Sequence, residues 1–189
     1  SVTGVTVGTT IISYTLPTGC YATHSVSVLP APPVITGVPS VCVGQVTVLS
    51  NAVSGGTWSS SNPAVATVTG GLVLGITPGT TVISYTLGTG CPRLLTVTVF
   101  GLPPAIAGSP NVCVGQTTLL TNPAIGGTWT SGATGIATIG LTSGIVSGLT
   151  VGTAPITYTI GTGCVTTSFI NVIPNPAPIT GSPNVCLGF

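Results

Sequence analysis

The sequence predicts an all-β protein made of tandem β-sandwich modules arranged as a rod. One unit recurs along the chain, and each complete copy carries two cysteines and almost no charge. Within a copy the apolar segments are short, rich in Val, Ile and Thr, and separated by Gly, Pro and Asn, which is the pattern of short strands joined by turns. No segment has the periodicity of an amphipathic helix.

The repeat is visible in two motifs that each contain a cysteine. The first recurs as PSVCVGQ, PNVCVGQ and PNVCLGF, at Pro39–Gln45, Pro110–Gln116 and Pro183–Phe189. The second, ISYTLPTGC, ends at Cys20 and recurs with its end at Cys91 and Cys164. The copies are therefore offset by 71 residues (91 − 20) and then by 73 residues (164 − 91). Offsets on this scale indicate an array of similar structural modules.

Alignment of the copies divides the chain into four parts. Two complete modules, at 31–101 and 102–174, lie between the C-terminal half of a module at 1–30 and the first strands of another at 175–189. We call the complete copies the first module and the second module. The partial copies do not complete each other, because a module assembled from both would lack positions 46–71. We therefore expect the 189 residues to be a section of a longer repetitive polypeptide.

The joints between modules are rich in proline. They lie at Leu29–Pro33, Gly101–Ala105 and Ile173–Pro178. Short proline-rich connections favour extended, semi-rigid chain. This composition predicts that successive modules form a rod.

The first module contains eight predicted strand segments. They are Val34–Thr36, Val41–Val43, Val46–Ser50, Thr57–Ser60, Val65–Thr69, Leu72–Gly75, Thr80–Leu87 and Leu94–Phe100. Turn residues such as Gly70-Gly71 and Pro78-Gly79 separate them. Many short strands in so few residues are typical of a β-sandwich of immunoglobulin-like type.

Several stretches of the first module resemble a known family. They are GGTWSSSNPAVATV at Gly55–Val68, then Gly71–Gly75, Pro78–Ile83 and Leu95–Val99. Together they resemble the bacterial immunoglobulin-like domain, group 2, found in tandem in giant bacterial surface adhesins and extracellular filament proteins. The resemblance implies a β-sandwich, an extracellular location at the cell surface and an adhesive or spacer role. It implies no catalytic residues.

The near absence of ionisable groups excludes several classes of function. The chain has one basic residue (Arg93), one histidine (His24) and no Asp or Glu. It lacks paired carboxylates for acid–base catalysis, acidic ligands for Ca²⁺ or Mg²⁺, and the basic surface that nucleic acid requires. No apolar run is long enough to predict membrane insertion. We expect no enzyme activity, catalytic residue, cofactor or metal site, and neither His24 nor Arg93 recurs at its position in the other copies.

The aromatic residues recur at fixed positions in the modules. Trp58 and Trp129 each follow a Gly-Gly pair, and Tyr14, Tyr85 and Tyr158 occupy one position of the ISYT-like segment. We expect the two tryptophans to be core aromatic residues and the tyrosines to pack in the core or at a sheet edge. The alternative is that the tryptophans stack on a sugar ring.

Six regularly spaced cysteines predict disulfides formed in an oxidising compartment. The favoured scheme pairs them within modules, as Cys42–Cys91 and Cys113–Cys164, and leaves Cys20 and Cys186 to partners outside the sequence. It follows from the first strand running beside the last in such a sandwich. Against it, Cys42 and Cys91 lie toward opposite ends of their strands. The alternative pairs the cysteines across joints, as Cys20–Cys42, Cys91–Cys113 and Cys164–Cys186.

The predicted outward faces carry Thr, Ser, Gly and Asn in place of charged residues. Uncharged surfaces associate readily, and uncharged edge strands are poorly protected against pairing with other chains. We expect contacts with neighbouring repeats of the same chain and self-association into a multi-chain fibre. The predicted function is a non-catalytic stalk or filament segment of an extracellular bacterial adhesin or fibre, made of disulfide-stapled modules. The alternative is a glycan-binding adhesive module that uses the tryptophans and the hydroxyl surface to bind a host-cell or surface glycan.

Overall fold

The computed structural model describes residues 1–88 and 90–181. All regular structure in these residues is β-strand. The chain divides into two compact units, Ser1–Gly101 and Leu102–Phe189. Each unit contains one complete β-sandwich, and the all-β sandwich predicted from the sequence is confirmed. The four predicted domain boundaries and the rod remain predictions.

The first unit begins with an antiparallel hairpin of two strands, β1 (Gly8–Thr15) and β2 (Tyr21–Val28). Ile12 lies opposite His24, the same register that Ile83 and Leu95 have in the first module. Positions buried in the complete module are exposed in the hairpin, because within the described residues β1 and β2 form a two-stranded sheet of their own. Tyr14 is 71% exposed, whereas its equivalent Tyr85 is 3% exposed.

The first module is a sandwich of two four-stranded sheets. One sheet has the order β4-β10-β9-β6 and the other β3-β5-β8-β7. The strands are β3 (Thr36–Gly37), β4 (Ser40–Cys42), β5 (Val46–Ser50), β6 (Thr57–Ser60), β7 (Ala66–Thr69), β8 (Leu72–Gly75), β9 (Gly79–Thr86) and β10 (Pro92–Phe100). Each predicted segment begins and ends within two residues of the observed strand.

The second module repeats this topology. Its sheets have the orders β12-β18-β17-β14 and β11-β13-β16-β15. The strands are β11 (Ala107–Gly108), β12 (Asn111–Cys113), β13 (Thr117–Thr121), β14 (Thr128–Ser131), β15 (Ala137–Ile139), β16 (Ile145–Gly148), β17 (Gly152–Thr159) and β18 (Val165–Ile173).

The beginning of each module is split between its two sheets. In the first module, β3 pairs antiparallel with β5, and β4 then crosses to the other sheet and pairs parallel with β10. Phe100, the last residue of β10, lies opposite Cys42. The same end of the second module brings Ile173 opposite Cys113. We call this the exit end, because the chain leaves the module after β10 or β18.

The opposite end of each module is its entry end. The Asn51 side chain donates a 2.7 Å hydrogen bond to the carbonyl oxygen of Pro33, in the joint that leads into the first module. Asn122 makes the same bond to Pro104 in the second module. The end of β9 and the start of β10 lie at this end, as do the end of β17 and the start of β18, beside the tyrosines described below. The chain therefore enters a module at one end and leaves it at the other.

A core of alternating aliphatic residues fills the space between the two sheets. Along β9 the residues Thr81, Ile83 and Tyr85 are buried and the residues between them are partly exposed, as expected for a strand with one face inward. The fully buried side chains of the first module include Leu49, Val73, Ile83, Val97 and Val99, and the second module matches them with Val146, Ile156, Ile170 and Val172.

Candidate functional sites: the aromatic pairs and the cysteines

Each tryptophan packs against the tyrosine of its own module. The ring centroids of Trp58 and Tyr85 are 4.7 Å apart, and those of Trp129 and Tyr158 are 4.6 Å apart, with an interplanar angle of 50° in both pairs. Trp129 is 5% exposed and belongs to the core, and Trp58 is half-buried and packs on the core of the first module. Tilted pairs at this separation are favourable, and the structure places both tryptophans in packing positions.

The tyrosine hydroxyl holds the loop before the tryptophan strand. Tyr85 Oη donates a 2.7 Å hydrogen bond to the carbonyl oxygen of Val53 and accepts one of 2.8 Å from the amide of Gly56. In the second module Tyr158 Oη donates to Ala124 and accepts a 3.0 Å bond from Gly127. The hydroxyl therefore satisfies a donor and an acceptor of a loop that has no strand partner.

The Gly-Gly pair is explained by this contact. A side chain at Gly56 would overlap the ring of Tyr85, and one at Gly127 would overlap the ring of Tyr158. The second glycine of each pair is therefore required by close packing on the tyrosine. This role of the tyrosine was not predicted, although the recurrence of Gly-Gly and Tyr in every complete copy was a signal for it.

An open cleft lies over each aromatic pair. The cleft in the first module, of about 330 Å³, is lined by the loop residues Asn51 and Gly55, the turn residue Gly70, and Trp58 and Tyr85. The cleft in the second module has the same position and about 260 Å³. Trp58 and Trp129 line these clefts, and each ring also packs against the tyrosine of its module.

The cysteines differ from the predicted pairing. Cys42 and Cys164 are disulfide-bonded, whereas Cys20, Cys91 and Cys113 are free thiols. The within-module pairs Cys42–Cys91 and Cys113–Cys164 are therefore absent, as are the cross-joint pairs Cys20–Cys42 and Cys91–Cys113. Cys186 and the proposed Cys164–Cys186 pair lie outside the described residues.

Strand geometry explains why the within-module pairs do not form. Cys42 lies level with Phe100 at the end of β10, and Cys91 precedes Pro92 at the start of the same strand. Eight residue steps (100 − 92) separate Pro92, the residue after Cys91, from Phe100, or about 26 Å along the strand. A disulfide requires Cα atoms within about 7 Å of each other. The prediction that the first strand runs beside the last was right, but the two cysteines lie at opposite ends of the module.

The two remaining ionisable side chains are not assembled into a site. His24 is exposed on β2, and Arg93 lies half-buried on β10 opposite Tyr85. Among residues 1–88 and 90–181, no three His, Cys, Asp or Glu side chains cluster closely enough to hold a metal ion. The same residues contain no helix of the length and apolarity needed to cross a membrane.

Comparison with known proteins gives distant structural neighbours. No family model matches the sequence, and no curated protein matches it significantly. The chain is similar in structure to a 282-residue C-terminal fragment of intimin, which was solved with the intimin-binding domain of the translocated intimin receptor. The two are 17% identical with a TM-score of 0.48, and the match covers 77% of this chain and 65% of that chain. It is also similar to domains 1–6 of the surface layer protein SbsC (18% identity, TM-score 0.36, 90% of this chain and 36% of that chain). A third neighbour is the insect immune protein hemolin (19% identity, TM-score 0.32, 77% of this chain and 47% of that chain). The chain spans less than two thirds of each of these, and the immunoglobulin-like fold is assigned from the strand topology itself.

Proposed function

We propose that this chain is a structural, non-catalytic segment of a stalk or filament in an extracellular bacterial adhesin or fibre. The observation that carries the proposal is the parallel pairing of the first and last strands of one sheet in both modules, with the chain entering and leaving at opposite ends. This arrangement transmits tension along a module.

Tension between the two ends of a module pulls β4 and β10 past each other along their length. In the first module, Val43 donates a 2.9 Å hydrogen bond to Phe100, and Thr98 donates one of 3.0 Å to Pro39. Bonds perpendicular to the direction of pulling share the load and must break together. The second module has the equivalent bonds, from Val114 to Ile173 (3.0 Å) and from Asn171 to Pro110 (2.8 Å). Both modules are therefore built to resist extension.

The chemistry of the chain supports an extracellular structural role. Disulfide-bonded cysteines indicate an oxidising compartment. The features that recur between the modules are the core, the aromatic pair and the cysteines, all of which serve packing or cross-linking. The resemblance of the first module to group 2 bacterial immunoglobulin-like domains supports a bacterial surface as the location.

Self-association into a fibre is supported by an apolar patch on the outer face of the first module. Val46 and Val48 on β5 lie opposite Leu74 and Leu72 on β8, and the four side chains are 37% to 62% exposed. Contiguous apolar surface of this kind marks interaction sites. No charged residue on either strand opposes close approach of a second chain.

The glycan-binding alternative is not favoured. It requires the two tryptophans to present their ring faces on the surface, and Trp129 is buried. Trp58 is half-buried and packs its ring against Tyr85. A sugar would therefore meet only part of the Trp58 ring, and the buried Trp129 would offer no equivalent surface in the second module.

Single-molecule pulling of the full chain under reducing conditions tests the proposal. We expect Val43→Pro to lower the unfolding force of the first module and leave the second unchanged, because proline removes the donor to Phe100. Val82→Pro is the matched control, since the second module carries Pro155 at that position. Unchanged force in Val43→Pro, or equal loss in both variants, would contradict the proposed tension geometry.

A further inference from the structure

We propose that β6 of the first module is an interface between two copies of this chain, in which the two β6 strands pair antiparallel about a two-fold axis. This contact rests on the self-association proposed above and names a second surface for it, separate from the apolar patch on β5 and β8. The two modules differ at one backbone amide, that of the tryptophan, and this difference locates the interface.

The strand β6 lies at the edge of its sheet, as the last strand in the order β4-β10-β9-β6. Directly after it, the amide of Ser61 bonds to the carbonyl oxygen of Val82 on β9 at 2.9 Å. The backbone groups of successive residues in an antiparallel strand point alternately toward the neighbouring strand and away from it. The N–H and C=O groups of Trp58 and Ser60 therefore point away from β9, toward the open edge.

In the second module the outward amide of the tryptophan is covered by the chain itself. Trp129 donates a 2.8 Å hydrogen bond to the carbonyl oxygen of Leu141, in the turn between β15 and β16. This turn, Gly140–Gly144, is two residues longer (5 − 3) than the equivalent Thr69–Gly71 of the first module. The longer turn therefore protects the edge of β14.

The first module has no such cover over its tryptophan. Gly70 and Gly71 form the shorter turn, and no acceptor among the described residues is bonded to the Trp58 amide. Trp58 is half-buried whereas Trp129 is 5% exposed. The cleft beside Trp58 is also larger, at about 330 Å³ against about 260 Å³. Open N–H and C=O groups on an edge strand are a template for pairing with another strand.

The outward groups of β6 are complementary to those of a second β6. When two β6 strands run antiparallel with their Ser59 residues opposite each other, Trp58 of each copy lies opposite Ser60 of the other. Each tryptophan amide then faces an outward serine carbonyl, and each serine amide faces an outward tryptophan carbonyl. Both copies use the same surface, as a two-fold interface requires.

No charge on the strand opposes this pairing. Natural edge strands are protected by Lys, by Pro or by a covering loop. The second module has the covering loop, whereas β6 has the sequence Thr-Trp-Ser-Ser and carries neither Lys nor Pro. A two-fold contact alone closes into a dimer, so a fibre also needs a second contact, for which the apolar patch is available.

Grafting the longer turn onto the first module tests the interface. The parent chain for this test lacks the apolar patch through Val46→Thr and Leu74→Ser, side chains that the second module carries at those positions. Sedimentation under reducing conditions, which prevent disulfides between chains, should show that the parent forms dimers as its concentration rises. Replacing Thr69–Gly71 with the residues of Gly140–Gly144 should leave monomers, because the added carbonyl occupies the Trp58 amide.

Charges on the two-fold axis identify the partner as a second copy. Ser59 is exposed, and Ser59→Lys places like charges directly opposite each other in the dimer. We expect Ser59→Lys and Ser59→Glu each to abolish the dimer of the parent, and an equal mixture of the two variants to form dimers again. Thr130→Lys, at the equivalent position of the covered strand β14, is the matched control and should leave the dimer intact.

Several results would overturn the interface. They are dimers that persist in the graft, a lysine–glutamate mixture that stays monomeric, and equal disruption by Thr130→Lys and Ser59→Lys. A monomeric parent alongside an associating wild-type chain would also overturn it, and would leave the apolar patch as the contact. A monomeric wild-type chain would remove the self-association itself, whereas the proposed stalk is tested separately by its unfolding force.

Discussion

Tyr85 Oη donates a 2.7 Å hydrogen bond to the carbonyl oxygen of Val53. It also accepts a bond from Gly56, so one hydroxyl fixes both sides of the loop that leads into the tryptophan strand. We predict that Tyr85→Phe lowers the free energy of unfolding of the first module by about 1–2 kcal/mol, because it leaves a part-buried amide without an acceptor. Urea unfolding followed by tryptophan fluorescence measures this change.

The matched control is Tyr14→Phe, which removes the same hydroxyl from the equivalent position of the β1–β2 hairpin. Tyr14 is 71% exposed there, so water replaces any partner of its hydroxyl and we expect no change in stability. Equal effects of the two substitutions would show that the hydroxyl of Tyr85 does not hold the loop.

Gly127, the second glycine of the Gly-Gly pair in the second module, is predicted to be required for the stability of that module. A Cβ at Gly127 would overlap the ring of Tyr158 and lie 2.7 Å from the carbonyl oxygen of Thr159. Gly127→Ala should therefore destabilise the second module by about 1–3 kcal/mol. Gly161→Ala is the control, because a Cβ at Gly161 meets open space. A thermal melt in which Gly127→Ala matches wild type would contradict the packing described for the aromatic pair.

The apolar patch on the first module predicts how self-association can be reduced. The second module has Thr117 and Ser147 where the first has Val46 and Leu74. The double variant Val46→Thr, Leu74→Ser therefore uses side chains that the fold already accommodates. We expect light scattering to show concentration-dependent association of the wild-type chain and less association of the variant. A wild-type chain that stays monomeric at high concentration would remove the basis for a fibre.

The lack of carboxylate side chains predicts unusual behaviour in acid. Most proteins lose stability at low pH because carboxylates paired in the native state become protonated. This chain has no Asp or Glu, so we expect nearly equal urea midpoints at about pH 3 and about pH 6. A large loss of stability over that interval would reveal a titrating group on which the fold depends.

The strands were predictable from the sequence because turn-forming residues mark the end of each strand segment. Each predicted strand of the first module is observed, since Gly and Pro mark the ends of segments that alternate inward and outward. Pro155 is an informative case, because a proline normally argues against a central strand. It is accommodated in β17 because the equivalent amide, that of Val82, bonds to the hydroxyl of Ser61 instead of a neighbouring strand.

The cysteine pairing could not be predicted in the same way, because it depends on which end of a strand each cysteine occupies. Sequence alignment shows that the strands of Cys42 and Cys91 belong to one module, and the structure shows that they are neighbours. Only the register, with Phe100 opposite Cys42, shows that the two thiols lie a full strand length apart. The tyrosine contacts were missed for a related reason, since a hydroxyl that bonds to loop backbone leaves no residue pattern of its own.

The most direct test of a structural stalk segment is single-molecule pulling of the full chain from its ends under reducing conditions. The parallel pairs β4–β10 and β12–β18 are loaded along their length, so we predict two discrete unfolding events, one for each complete module. Each module holds about 70 residues and should release roughly 250 Å of contour length at about 3.6 Å per residue. Gradual extension without two discrete events of this size would contradict the account.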